Sequence, residues 1–71
     1  MKEVEILREK GEVLFSFKEK YIYIQERTDG SYEGDIYESE AAFDNGEDPI
    51  DGGICETNDP ETAIQFFKEG L

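Results

Sequence analysis

Two runs of alternating apolar and polar residues, 4–9 and 12–17, dominate the first part of the chain. Such alternation is typical of half-buried strands, because successive side chains of a strand point to opposite faces. Residues 10–11 separate the runs and include a glycine, which readily adopts the positive φ of a tight hairpin turn. The pattern therefore predicts a hairpin in which Ile6 pairs with Phe15. Its apolar face comprises Val4, Ile6, Val13, Phe15 and Phe17.

The apolar positions change phase after Phe17, from odd numbers to the even numbers of Ile22 and Ile24. A tight turn at residues 19–20 accounts for this change and places Phe17 against Ile22. A bulge in one long strand is the alternative explanation.

A further reversal at residues 28–30 leads into a strand at 32–38. A loop with an odd number of residues places Tyr32 and Ile36 on the face that carries the isoleucines of the preceding strand. A serine then caps a single helical turn over residues 39–43.

The last third of the chain predicts a loop, a short strand and a helix. Residues 44–53 contain Asn-Gly, Pro and Gly-Gly, which are typical of loops, and residues 54–57 are a strand candidate. Asp59 as the N-cap and Pro60 at the first helical position predict the start of a helix that ends at Gly70. The inward stripe of this helix comprises Ala63, Phe66 and Phe67.

Together these elements predict an α+β protein with a single domain over residues 1–71. It is a small antiparallel β-meander of three to five strands, with one C-terminal α-helix packed on one face. The opposite face, called here the Leu/Tyr face, carries Leu7, Leu14, Tyr21, Tyr23 and Tyr37. Either residues 39–53 fold over this face, or it contacts a partner or a second copy of the chain, since aromatic patches mark contact surfaces.

The net charge of −12 is confined to one part of the sequence. Residues 1–28 contain six acidic and six basic side chains, whereas residues 29–71 contain thirteen acidic side chains and one basic side chain, Lys68. Such asymmetry indicates an interaction surface, with a merely solvated face as the alternative. Direct binding to nucleic acid or to an anionic membrane is not expected, because both attract Lys and Arg.

Several residue types that catalysis commonly uses are missing from the chain. There is no His, and therefore no usual general base, no nucleophile–histidine pair and no usual transition-metal ligand. Cys55 is the single cysteine and is interpreted as a packing residue, with acidic neighbours that raise its pKa. We therefore expect a non-enzymatic protein without a cofactor. The lone cysteine and the lack of an apolar leader favour a cytoplasmic location.

The segment 29–40 resembles the twelve-residue EF-hand calcium loop. A glycine stands at its sixth position, and oxygen ligands stand at positions 1, 3, 5 and 12, contributed by Asp29, Ser31, Glu33 and Glu40. However, residues 21–24 read as a strand where an EF-hand requires a helix, so a hairpin turn is the alternative interpretation. Weak binding of a divalent cation here or at residues 44–51 is a further functional hypothesis.

The acidic run supplies the leading functional hypothesis. On a strand, Glu33 and Asp35 would project from one face about 7 Å apart, and further carboxylates follow. Such an array can occupy a basic groove built for phosphates. The predicted function is binding to a basic protein surface, with mimicry of nucleic acid, as in small acidic inhibitors from phages and mobile elements, as its specific form. The predicted partner-binding residues are Glu33, Asp35, Glu38, Glu40, Asp44, Glu47, Asp48 and Asp51. A homodimer through the Leu/Tyr face is the alternative.

Overall fold

The computed structural model describes residues 2–71, which form helices on both faces of a four-stranded antiparallel sheet. The elements in chain order are α1 (Lys2–Lys10), β1 (Glu12–Phe17), β2 (Lys20–Glu26), β3 (Tyr32–Tyr37), α2 (Glu40–Asp44), β4 (Asp51–Cys55) and α3 (Pro60–Glu69). Strands that follow one another in sequence are neighbours in the sheet, so β1 and β4 form its edges. The predicted α+β class, antiparallel meander and C-terminal helix are confirmed.

The first element is a helix, so the predicted hairpin over residues 4–17 is wrong. Val4 and Leu7 are three positions apart, which places both on one helix face, and both are buried. Acidic residues in the first turn and basic residues in the last turn suit the helix dipole. Gly11 does adopt a positive φ, 77°, but it does so at the end of α1, where its N–H donates to the Leu7 carbonyl oxygen at 2.9 Å.

This helix also corrects the predicted position of one surface residue. Leu7 is fully buried in the core and does not lie on the Leu/Tyr face. The predicted pairing of Ile6 with Phe15 is likewise replaced, because Phe15 pairs with Ile22 of β2.

The core lies on the sheet face that α1 and α3 cover. As predicted, Tyr32 and Ile36 share this buried face with the isoleucines of β2. The core residues are Val4, Leu7, Val13, Phe15, Ile22, Ile24, Tyr32, Ile36, Cys55, Ala63, Ile64 and Phe67. Phe66 was predicted to face inward, but half of its surface is exposed and Ile64 takes the buried position.

Two strand boundaries differ from the prediction. The turn between β1 and β2 is formed by Lys18 and Glu19, one residue earlier than expected, and both adopt positive φ. Positive φ at both central residues is the geometry of a two-residue hairpin turn, so the turn and not a bulge accounts for the change of phase. The last strand begins at Asp51, within the segment predicted as a loop.

Both predicted helix caps are confirmed. Asp59 accepts a hydrogen bond from the Thr62 N–H at the start of α3, with Pro60 as the first helical residue. Ser39 accepts from the Ala42 N–H at the start of α2. Gly70 follows α3 with a φ of −71°, so the left-handed conformation common after helices is not used.

An acidic and aromatic face as the candidate interface

The sheet face opposite the core, called here the outer face, carries the alternate residues of every strand. Cross-strand pairing aligns Leu14 with Tyr23, Tyr23 with Asp35, and Asp35 with Gly52. The flanking rows run through Gln25 on one side and Tyr21 on the other. The residues of the outer face are Glu12, Leu14, Ser16, Tyr21, Tyr23, Gln25, Glu33, Asp35, Tyr37, Gly52 and Ile54.

An aromatic cluster occupies one end of the outer face. The Phe43 ring of α2 lies 5.3 Å from that of Tyr21, 6.2 Å from Tyr23 and 5.0 Å from Tyr37, measured between ring centroids. These are the distances of stabilising tilted and edge-to-face contacts. Of the predicted covering segment 39–53, only α2 covers the three tyrosines, through Phe43, while residues 51–53 belong to β4. The tyrosines are half-buried, whereas Leu14 remains 39% exposed.

Carboxylates surround this cluster. Burial raises the pKa of the Tyr21 hydroxyl, and the nearby charges of Glu40 and Asp44 on α2 raise it further. Glu33 and Asp35 project from β3 on the same face of the sheet. The fold thus brings four predicted partner-binding residues, from two different elements, to one surface.

A chain of hydrogen bonds positions the carboxylate of Glu33. The Gln25 amide nitrogen donates to Glu33 Oε1 at 3.3 Å. The Tyr23 hydroxyl lies 3.2 Å from the side-chain amide oxygen Oε1 of Gln25 and 3.1 Å from the carboxylate oxygen Oε1 of Glu12, and it can donate its hydrogen bond to either. Burial raises the pKa of Tyr23, and the bond to Glu12 raises it further. The polar end of the outer face is therefore ordered by the strands beneath it.

Asp35 occupies an unfavourable position for a negative charge. Burial raises the pKa of its carboxyl, and the neighbouring Glu33 raises it further. Gly52 makes room for this side chain, because a Cβ there would lie 2.9 Å from Asp35 Oδ1. An acid is thus retained where a neutral amide would be more easily accommodated.

The other predicted partner-binding residues lie elsewhere. Glu38 forms an ion pair with Lys20 at 3.0 Å. Glu47 and Asp48 are exposed in the loop before β4. Asp51 belongs to β4 and points to the same side of the sheet as Gly53 and Cys55, so it faces away from the outer face.

The residues of the predicted calcium loop do not converge. Residues 32–37 are extended as β3, which separates Asp29 and Ser31 in the preceding turn from Glu40 on α2. Asp29 instead accepts hydrogen bonds from the Ser31 N–H and hydroxyl, which lower its pKa, and lies 3.7 Å from Arg27. Across residues 2–71 no group of three or more His, Cys, Asp or Glu side chains is arranged to hold a metal ion.

Sequence reasoning missed three contributors to this surface. Glu12 and Gln25 were not identified as candidates. They pair with each other across the β1–β2 hairpin, and this pairing places both beside Tyr23. Phe43 was assigned to a helical turn without a partner, and its contact with three tyrosines depends on the path of the chain after β3.

Cys55 is buried, and that burial, rather than acidic neighbours, raises its pKa.

None of the helices in the described part of the chain is long and apolar enough to cross a membrane. Comparison with protein-family models, curated proteins and solved structures gives no match to this chain.

Proposed function

We propose that the protein is a non-enzymatic module that binds a basic protein surface. The binding site is the acidic-aromatic face, defined as Glu33, Asp35, Glu40 and Asp44 with the cluster of Tyr21, Tyr23, Tyr37 and Phe43. The observation that carries the proposal is that, within residues 2–71, these four carboxylates have no Lys or Arg nitrogen within 4 Å. In the free protein water and counterions solvate these carboxylates, and the Lys and Arg side chains of a partner can take their place.

The combination of acids and aromatic rings suits Lys and Arg side chains. Carboxylates accept charge-assisted hydrogen bonds from guanidinium and ammonium groups, and aromatic faces attract the same cations. Tyrosine is enriched at protein interfaces, because its ring buries apolar area while its hydroxyl keeps a polar contact. Burial and the charge of Glu33 disfavour the charged form of Asp35, and a cation supplied by a partner would relieve that repulsion.

The specific form proposed is occupation of a groove that otherwise binds nucleic acid. Glu33 and Asp35 are separated by about 7 Å along β3, and the α2 acids extend the array beside them. Displacement of counterions from a basic groove would drive such binding, so affinity should fall steeply as salt increases.

The first prediction compares two variants with the same change in net charge. The face variant carries Glu33→Gln, Asp35→Asn, Glu40→Gln and Asp44→Asn. The control variant carries Glu5→Gln, Glu9→Gln, Glu19→Gln and Glu26→Gln, all exposed and away from the outer face. Each protein is immobilised and used to capture proteins from nuclease-treated lysate, with elution in a salt gradient.

We expect the wild type and the control to retain the same Lys- and Arg-rich proteins, released at moderate salt, and the face variant to lose them. For a captured nucleic-acid-binding protein, the wild type should also compete with its DNA or RNA. An equal loss of retention in both variants would show that net charge alone acts, and undiminished retention by the face variant would show that this face is not the binding site. Either result would contradict the proposal. Sedimentation of the wild type tests the alternative, because a homodimer through the Leu/Tyr face would persist at high salt.

A further inference from the structure

A groove of about 430 Å³ runs between β4 and α3, on the core side of the sheet. Phe66 forms part of one wall, and its ring is held edge-on against Phe67 at 5.0 Å. Phe66 is 49% exposed, so this wall of the groove presents apolar surface to solvent. The strand side is formed by β4, whose Gly53 faces the groove while the Ile54 side chain belongs to the outer face. An exposed aromatic ring that lines a groove, unlike an isolated apolar residue on the surface, indicates a contact surface.

The floor of the groove contains a glycine that the fold itself does not require. Gly53 does not adopt a positive φ, and a Cβ placed there would meet no atom within 4 Å. By contrast, a Cβ at Gly34 would lie 2.8 Å from the Phe67 ring. A glycine within a strand lowers stability and often marks a position where another backbone or a ligand approaches closely. The missing side chain of Gly53 keeps the groove open.

The strand beside this groove has a free edge. One side of β4 pairs with β3, and within residues 2–71 no strand pairs with its other side. An unpaired strand edge presents a row of N–H and C=O groups that can receive an additional strand. Natural edge strands are often protected by lysine, proline or an inward-pointing charge. Asp51–Cys55 contains neither lysine nor proline, and its one charged residue, Asp51, lies at the start of the strand and accepts a hydrogen bond from the Gly52 N–H at 2.8 Å.

Charge selects the occupant. Asp51 and Glu69 line the groove, and the exposed Asp48 and Glu56 flank β4 in sequence. A second copy of the chain would bring another net charge of −12 to this surface, so it is disfavoured by repulsion. An extended segment with a Lys or Arg residue two positions before and after an apolar residue is complementary to both the charge and the groove, because alternate side chains of a strand point to the same face.

We propose that the free edge of β4 receives an extended segment of a basic partner as a fifth strand of the sheet. An apolar side chain of that segment lies over Gly53 beside Phe66. The Lys or Arg residues two positions before and after it point to the same face of the added strand and lie near Asp51 and Glu69. The choice of a basic partner rests on the proposed function, whereas the mode of binding rests on the groove and the free edge.

The test uses the full chain labelled with ¹⁵N and the nine-residue peptide Lys-Thr-Lys-Thr-Val-Thr-Lys-Thr-Lys, whose valine and lysines lie on one face of an extended strand. A second peptide of the same sequence has its four central amides N-methylated, which removes hydrogen-bond donors without changing charge. At 150 mM NaCl we expect the first peptide to shift the amide resonances of Asp51–Cys55 and Phe66. The N-methylated peptide should bind at least tenfold more weakly, because charge alone cannot replace the lost strand pairing.

Two variants test the groove itself. Gly53→Val should weaken binding of the unmodified peptide at least tenfold without lowering the unfolding temperature, because its side chain enters open space in a strand. Phe66→Ala, at a half-exposed position, should weaken binding as well. The matched control is Ser16→Val, which adds the same side chain to β1 at the opposite edge of the sheet and should leave binding unchanged.

The outcomes separate this inference from the proposed function. Resonance changes confined to the acidic-aromatic face, or affinity unaffected by N-methylation and by Gly53→Val, would overturn strand addition while leaving that function in place. Strand addition at β4 together with unchanged partner capture by the face variant would overturn the proposed function alone. Absence of binding by the unmodified peptide at millimolar concentration would also overturn the inference.

Discussion

Three glycines in the last two strands show how differently one residue type can be used. Gly34 leaves the space that the Phe67 ring occupies, and Gly52 leaves the space that the Asp35 carboxylate occupies. Gly53 has neither role. The distinction depends on what lies opposite each residue, which cannot be read from the sequence Asp-Gly-Gly.

We predict that Gly34→Ala lowers the free energy of unfolding by about 1–3 kcal/mol, the usual cost of forcing extra atoms into a packed core. The added Cβ would be 2.8 Å from ring atoms of Phe67. Gly53→Ala is the matched control, and it should be neutral or stabilising by up to about 1 kcal/mol. Urea unfolding measures both values, and a similar loss in the two variants would contradict the assigned packing.

Asp35 provides a prediction about pH. Its folded pKa is raised above the ordinary value of 3.8 by burial and by Glu33, so folding disfavours the charged form. The resulting destabilisation is fully present above the raised pKa, and it disappears as pH falls below the unfolded value. Asp35→Asn should therefore be more stable than the wild type at pH 7, with the difference vanishing below about pH 4.

Thermal unfolding between pH 3 and pH 7 measures this difference. Asp48→Asn is the control, because it removes the same charge from an exposed loop position. If the control gains as much stability as Asp35→Asn, relief of the overall net charge explains the effect and the local assignment is wrong.

At the scale of elements, the first nine described residues show the limit of pattern reading. Val4 and Ile6 have the two-residue spacing of one strand face, whereas Val4 and Leu7 have the three-residue spacing of one helix face. The helix prevails because α1 can cover the open end of the core against α3, β1 and β2. The apolar pattern of so short a segment does not distinguish a helix from a strand. The part of the core that remains to be covered decides between them.

The short helix α2 is an element whose local sequence and tertiary role agree. Its cap is the Ser39 side chain, which accepts from the Ala42 N–H, and its Phe43 covers three tyrosines. Five residues do not form a stable helix alone, so the cap and the aromatic contact depend on each other.

We therefore predict that Ser39→Ala destabilises α2 by about 1 kcal/mol. Opening of the helix should increase hydrogen exchange about fivefold at the Asn45 amide, which donates to the Ala41 carbonyl oxygen, and should change the tyrosine fluorescence. Ser39→Thr retains a capping hydroxyl and serves as the control. Unchanged exchange in Ser39→Ala would show that the aromatic contact alone holds α2 in place.

At the scale of the whole molecule, the strand order places the charge-balanced segment and the acidic segment of the chain in different halves of the sheet. Because the strands are ordered as in the sequence, the balanced segment forms α1, β1 and β2, while the acidic segment forms β3, α2, β4 and α3. The acidic-aromatic face and the groove beside β4 lie on opposite faces of that second half. A strand added to β4 would extend the sheet and bring its partner within reach of both faces.

The sequence by itself determined the α+β class, both helix caps, the shared buried face of β2 and β3, and the acidic character of the second half. These properties depend on local signals, such as capping side chains, strand alternation and the count of charges. The tertiary structure decided that residues 2–10 are a helix, that Leu7 is buried and Phe66 exposed, and which acids lie together. Those outcomes depend on which surfaces remain to be covered once the strands have paired, a condition that residues distant in sequence set together.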